Sequence, residues 1–235
     1  MKKKHMVLMA FFLLSLSSLF ADVKVGLSLG LDSNNVERTD GYSYIMDIDS
    51  AMGFSVALPI EVGINSWFSI RLEPTYMQKN YGTETNDSIS SWYATSLDYT
   101  NSYFSLPLIL KFSYSFEKQS PFSLYVDVGG WGEYWLSQYA SGTELSLLNT
   151  TNTSTSNYIV DQDGSVEFDD DTDNRFYYGW LIGTGFDMIF SKHFDGYFEV
   201  RYIYSVSGRY QEYQSDMYNQ YNRTFLAVTG LMYRF

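Results

Sequence analysis

The chain has 235 residues, with 27 acidic against 15 basic side chains, no cysteine, and aromatic residues at 19% of positions. A formal charge of −12 excludes the basic footprint of a nucleic-acid binder, and the lack of cysteine excludes a disulfide framework and lipidation at a cysteine. Beyond the first two dozen positions no apolar run approaches 18 residues, so no membrane helix is expected there.

In chain order, the opening MKKKHMVLMAFFLLSLSSLFA has a basic head (Lys2, Lys3, Lys4), an apolar run from Met6 to Phe20, and Ala21 before a cleavage point. It reads as a signal peptide over 1–21, which leaves a domain over 22–235. Without those three lysines, 12 basic residues face 27 acidic ones, a formal charge of −15.

Eight segments then alternate with a period of two, the signature of half-buried strands. Val23 to Leu31 places Val25, Leu27 and Leu29 opposite Lys24, Gly26 and Ser28. The next two place Phe54, Val56 and Leu58 opposite Ser55 and Glu61, and Phe68, Ile70 and Leu72 opposite Arg71 and Glu73. In the fourth, Phe104 to Tyr114 oppose Ser105, Pro107 and Lys111; in the fifth, Phe122 to Val128 oppose Tyr125 and Asp127, whose phase continues through Trp131, Glu133 and Trp135. The sixth sets Phe176, Tyr178 and Trp180 against Tyr177, Gly183, Gly185 and Asp187. The seventh sets Phe198, Val200 and Tyr202 against Glu199, Arg201 and Arg209. The last, TFLAVTGLMYRF, alternates to Phe235.

Short connections near Asn65, Lys118 and Lys192 alternate with long ones at about 32–50, 82–100, 140–174 and 211–222. Short inner turns, long outer loops and an even strand number are habits of outer-membrane barrels, whose strands also carry aromatic girdles. Phe116 and Phe190 are expected at the lower girdle, Tyr134 and Phe176 at the upper. A soluble barrel with its greasy face inward is the alternative. Eight strands enclose just enough room for side chains, and the aromatic face would overfill it. A midplane Arg or Lys facing lipid costs about 2–4 kcal/mol. The charged face is therefore expected to be the lumen, as a network of Glu61, Arg71, Glu73, Lys111, Asp127, Glu133, Asp187, Glu199, Arg201 and Arg209. Pro59, Pro74 and Pro107 fall inside strands and predict bulges there. The fold expected is an all-β, eight-stranded antiparallel up-and-down transmembrane β-barrel.

FSIRLEPTYMQKNYG (Phe68 to Gly82), YFSLPLILKFSY (Tyr103 to Tyr114), GTGFDMIF and FEVRYIYSVS resemble the bacterial outer-membrane β-barrel family that includes the PorT-like proteins. The resemblance covers most of the mature chain and implies residence in the bacterial outer membrane. It also admits a part in envelope secretion. The ending is similar to the signal read by the barrel-assembly machinery, with Gly230, Tyr233 and Phe235 as its matching residues.

Chemistry is sparse. His5 leaves with the leader and His193 falls in a short turn, so no Ser–His pair is expected at the outer rim. Asp127 and Glu133 are the only acids to nominate for carboxylate catalysis, and an ion-pair role suits them better. DQDGSVEFDDDTDN, Asp161 to Asn174, holds seven acids. Asp161, Asp163, Ser165, Glu167 and Asp169 are spaced like hard-cation ligands, although the glycine comes too early for an EF-hand loop. A solvated acidic loop, preceded by a Ser/Thr/Asn tract, is the simpler reading. The function expected is a non-enzymatic surface scaffold without cofactors, monomeric, contacting outer-membrane lipid and a surface partner through the acidic loop. A narrow pore for small solutes or cations is the alternative.

Overall fold

The computed structural model describes residues 22–38, 46–85, 95–116, 120–147, 157–169, 171–210 and 219–235. The expected leader (1–21), the turn near Lys118 and most of the Ser/Thr/Asn tract lie outside the described residues. Among the described residues there are eleven strands: β1 (Asp22–Arg38), β2 (Met46–Ala57), β3 (Ile60–Asn65), β4 (Phe68–Leu72), β5 (Thr75–Thr85), β6 (Thr95–Ser115), β7 (Phe122–Leu147), β8 (Asn157–Val166), β9 (Phe176–Ile189), β10 (Phe194–Ser205) and β11 (Gln220–Arg234).

Every pairing is antiparallel, and the ladders close into a ring of eight strand positions. β2 with β3 fills the second position and β4 with β5 the third, while β1 pairs with β11 to shut the barrel. The apolar phase faces outward on every strand of the ring. Leu31, Leu106, Trp180 and Phe225 are exposed, whereas Arg71, Asp127 and Glu199 are fully buried. A closed sheet has no edge to leave unpaired in hydrocarbon, which is why this pattern is viable in a bilayer. The girdle residues Phe116, Phe190, Tyr134 and Phe176 also face outward and are exposed.

Two expectations are corrected. Pro59 and Pro74 end strands, separating β2 from β3 and β4 from β5, while Pro107 stays inside β6; the register shifts lie elsewhere, between Ser50 and Ser55, Gly63 and Asn65, and Ser102 and Tyr103. The three prolines keep the ladder through their carbonyls, which accept from Gly26 (2.9 Å), Leu58 (3.0 Å) and Glu73 (3.1 Å). In a hydrogen-bonded antiparallel pair the bonds run both ways, so Pro107 leaves the Glu73 carbonyl without its strand donor. The Thr75 hydroxyl fills that place at 2.7 Å.

The strands also run further outward than the alternation suggested. β1 reaches Arg38, β5 Thr85 and β7 Leu147, and β7 folds back onto β8 through the register Gln138↔Val166 to Leu147↔Asn157. Much of the 140–174 connection, read as loop, is therefore a hairpin standing beyond the ring.

Inside, rings cover glycines across the ladder. Tyr125 faces Gly185, and Tyr197 faces Gly230. A β-carbon on Gly230 would stand 2.3 Å from the Tyr197 ring, so only glycine lets that ring lie flat against the barrel wall.

Candidate functional site

Because inward residues of neighbouring strands lie side by side, the polar phase stacks the lumen into layers. At the short-turn end, Lys24 and Arg234 donate to Asp195 at 2.9 and 2.6 Å. Above them Lys111 bridges Glu61 at 3.2 Å and Asp187 at 2.8 Å. At mid-height, Arg71 Nη2 donates to Asp127 (2.7 Å) and Glu199 (2.5 Å), and its Nε lies 3.3 Å from Glu73. Arg201 joins the same acids, with Nε on Glu199 at 2.6 Å and its fork on Glu73 at 3.1 and 3.3 Å. Higher still, Lys79 Nζ meets both Glu133 oxygens at 2.7 and 2.8 Å, over the rings of Trp131 and Tyr103.

Tyr81, Tyr103, Trp135 and Tyr177 close the outer mouth together with Arg209. The Arg209 guanidinium stacks 5.0 Å from the Trp135 ring centre and donates to the Tyr81 hydroxyl at 3.2 Å. Phe168 folds over Trp135 edge-on at 4.7 Å, held from the other side by Arg175. The cavity left under this cap measures about 20 Å³, room for about one water.

All ten acids and bases expected in the lumen point inward. Nine of them meet in the pairs above; Arg209 serves the aromatic cap, its Nε 3.6 Å from Asp173. Among the described residues, five more charged groups belong to this interior: Lys24, Asp32, Lys79, Asp195 and Arg234. Asp32, 1% exposed, makes no side-chain hydrogen bond among the described residues. Lys79 was legible in principle, since the inward phase of Glu73, Thr75 and Met77 runs on to it.

The acidic segment is divided. Asp161, Asp163 and Ser165 lie on β8, and the Asp163 carboxylate accepts from the Tyr139 hydroxyl of β7. That bond pushes the Tyr139 phenol above its ordinary range, on a stretch outside the membrane-spanning ring. Asp169 instead caps a turn, accepting from the Asp171 and Asp173 amides. Glu167 is exposed between them. Among the described residues, no three acidic or histidine side chains come together in a metal-holding group. His193 stacks on Tyr233 at the short-turn end, far from the outer rim, and Asp127 and Glu133 are held in ion pairs.

Similar solved structures include the following three. OprG, an outer membrane protein of Pseudomonas aeruginosa, is 10% identical with a TM-score of 0.55, covering 91% of this chain and 95% of its own. Neisserial surface protein A is 15% identical with a TM-score of 0.47, over 91% and 97%. Ail, the attachment invasion locus protein of Yersinia pestis, is 14% identical with a TM-score of 0.40, over 91% and 99%. No curated protein matches the sequence. Residues 15–211 match the family described as outer membrane protein beta-barrel domain, and the chain belongs to that family of bacterial outer-membrane barrels.

Proposed function

We propose that this barrel is a non-enzymatic surface scaffold whose outward strand extensions bind a partner. The observation that carries the reading is the division of the chain's polar groups. Inside the ring, every acid but Asp32 is paired with a base among the described residues, and the mouth is capped by Arg209 and aromatic rings, which leaves no wide path for a solute. Beyond the ring, Asp98, Asp161, Asp163 and Glu167 stand in water on strands and turns that the barrel does not need for closure. Short turns then face the periplasm, and the β7–β8 hairpin faces the medium. The ion pairs of Asp127 and Glu133 are structural in this reading, and Gly230, Tyr233 and Phe235 serve recognition by the assembly machinery.

A narrow cation pore is the second reading, favoured by one feature: Asp32 is a buried acid without a hydrogen-bonded base.

The test is protease shaving of intact cells that carry an epitope inserted at Thr153, with a periplasmic protein as leakage control. Loss of the epitope while the barrel stays protected supports surface display, and removal of the hairpin should then abolish capture of the partner without loss of the barrel. An epitope cut only after the outer membrane is opened overturns the reading.

A further inference from the structure

The outer part of the barrel wall ends in a strand edge. β8 is the last strand of the sheet, and among the described residues it pairs with β7 alone, in one unbroken register from Gln138↔Val166 to Leu147↔Asn157. An antiparallel strand turns the N–H and C=O groups of alternate residues toward opposite sides, so about half of the residues of β8 present both groups away from β7. At about 3.3 Å per residue, that edge is roughly 33 Å long. Edge strands are ordinarily blunted by proline, lysine, a bulge or short length. β8, ten residues long, has none of these.

The charge beside this edge has one sign. The registers from β2 through β5, β6 and β7 to β8 set Asp49, Asp98 and Asp163 in one row and Asp47, Glu84 and Asp161 in the next, on one face of the wall. All six are exposed. No lysine or arginine occurs in the outer parts of these strands, 46–51, 80–85, 95–102, 138–147 and 157–166. A strand added beside β8 sets two of its own side chains, two residues apart, next to Asp161 and Asp163. Opposite charges facing one another across strands stabilise the pair, and like charges destabilise it. A second copy of this chain is therefore the wrong occupant, since pairing of β8 with another β8 brings aspartates of the two copies together.

We propose that the β8 edge takes up an extended basic segment of a partner as an added strand, with lysine or arginine at alternate positions beside Asp161 and Asp163. The main-chain ladder supplies the affinity, and the two aspartates select the charge. This rests on the reading that the outer extensions bind a partner, and it assigns that binding to one edge and one class of segment.

The experiment titrates the full barrel, ¹⁵N-labelled in uncharged micelles, with the capped hexapeptide Thr-Lys-Val-Lys-Val-Thr and with its counterpart carrying glutamate for lysine. Two further forms of the lysine peptide are N-methylated on alternate residues, one in each phase. Expected are saturable shifts of the amides from Asp161 to Ser165, with a Kd on the order of 1 mM. The glutamate peptide should bind at least about tenfold more weakly. One methylated form should bind like the parent, because its methyl groups point away from β8, and the other should not bind. Asp161→Asn with Asp163→Asn, both exposed and beyond the ring, should weaken the lysine peptide about three- to tenfold. No saturable shift at β8, equal binding of the glutamate peptide, the two methylated forms behaving alike, an affinity unchanged in the double variant, or β8 shifts that grow with protein concentration alone would each overturn the proposal. The titration makes no use of the barrel's orientation. An epitope at Thr153 that proved periplasmic would therefore overturn surface display and not strand addition, whereas a displayed hairpin that captures a partner while the peptides fail would overturn strand addition and leave display standing.

Discussion

Lys79→Ala leaves the Glu133 carboxylate in the lumen without its base. The Nζ is 2.7 and 2.8 Å from the two Glu133 oxygens, and both residues are 1% exposed. At an effective dielectric of about 20, opposite charges about 3 Å apart attract by roughly 5–6 kcal/mol. Desolvation of the two ions takes back several kcal/mol each, so the intact pair adds little net stability. Removing one partner is different, because the other keeps its desolvation cost with nothing to offset it. The expected loss is about 3–5 kcal/mol, a large share of the roughly 5–15 kcal/mol that holds a typical domain together. Replacing both, Lys79→Met with Glu133→Leu, should return stability to within about 1 kcal/mol of the parent or above it, since a thioether can still pack on Trp131. The assay is urea unfolding of the barrel in phospholipid vesicles, followed by tryptophan fluorescence. A loss below about 1 kcal/mol for Lys79→Ala, or a double variant as unstable as the sum of the singles, would mean that Glu133 is not held by Lys79 in this way.

Three further outcomes follow from particular contacts. Thr75→Val leaves the Glu73 carbonyl opposite Pro107 without a donor, at an expected cost of about 1–3 kcal/mol in the same urea assay; an unchanged midpoint contradicts that role. Gly230→Ala forces the Tyr197 ring off the barrel wall and should cost about 1–3 kcal/mol, read as a lower melting temperature in vesicles. For Tyr139, the raised phenol pKa means that its stabilising contribution is present below the ordinary tyrosine range and is lost as pH rises through the shifted value. Asp163→Asn should lower that pKa toward its ordinary value, as measured by NMR of ¹³C-labelled tyrosine.

The ring itself was legible because hydrocarbon outside and charge inside give every strand the same two-residue contrast. Beyond the bilayer the outward face meets water as well, and the contrast fades. That is why the alternation read from Phe68 through Glu73 stopped short of Lys79, and why β8, with Asp161, Gln162 and Gly164, did not read as a strand: its order comes from pairing with β7. Which lumen charges meet was not legible either. Arg71 and Glu199 are 128 residues apart in sequence, as are Glu73 and Arg201, and only the closure of the ring brings them together. The rings laid over Gly185 and Gly230 depend on the same cross-strand register. The prolines were visible in the sequence, but their effect was decided by neighbours: Thr75 accommodates Pro107 within a strand, whereas Pro59 and Pro74 interrupt theirs.

Paired charges and the Arg209 cap close the lumen, and the proposed function is displaced to the outer extensions. Conductance of the purified barrel in a planar bilayer tests it most directly. A lumen filled this way leaves the membrane silent, without steady steps above baseline in molar salt. Stable, repeatable cation-selective steps from the folded protein would contradict it and make the lumen the working part of the molecule.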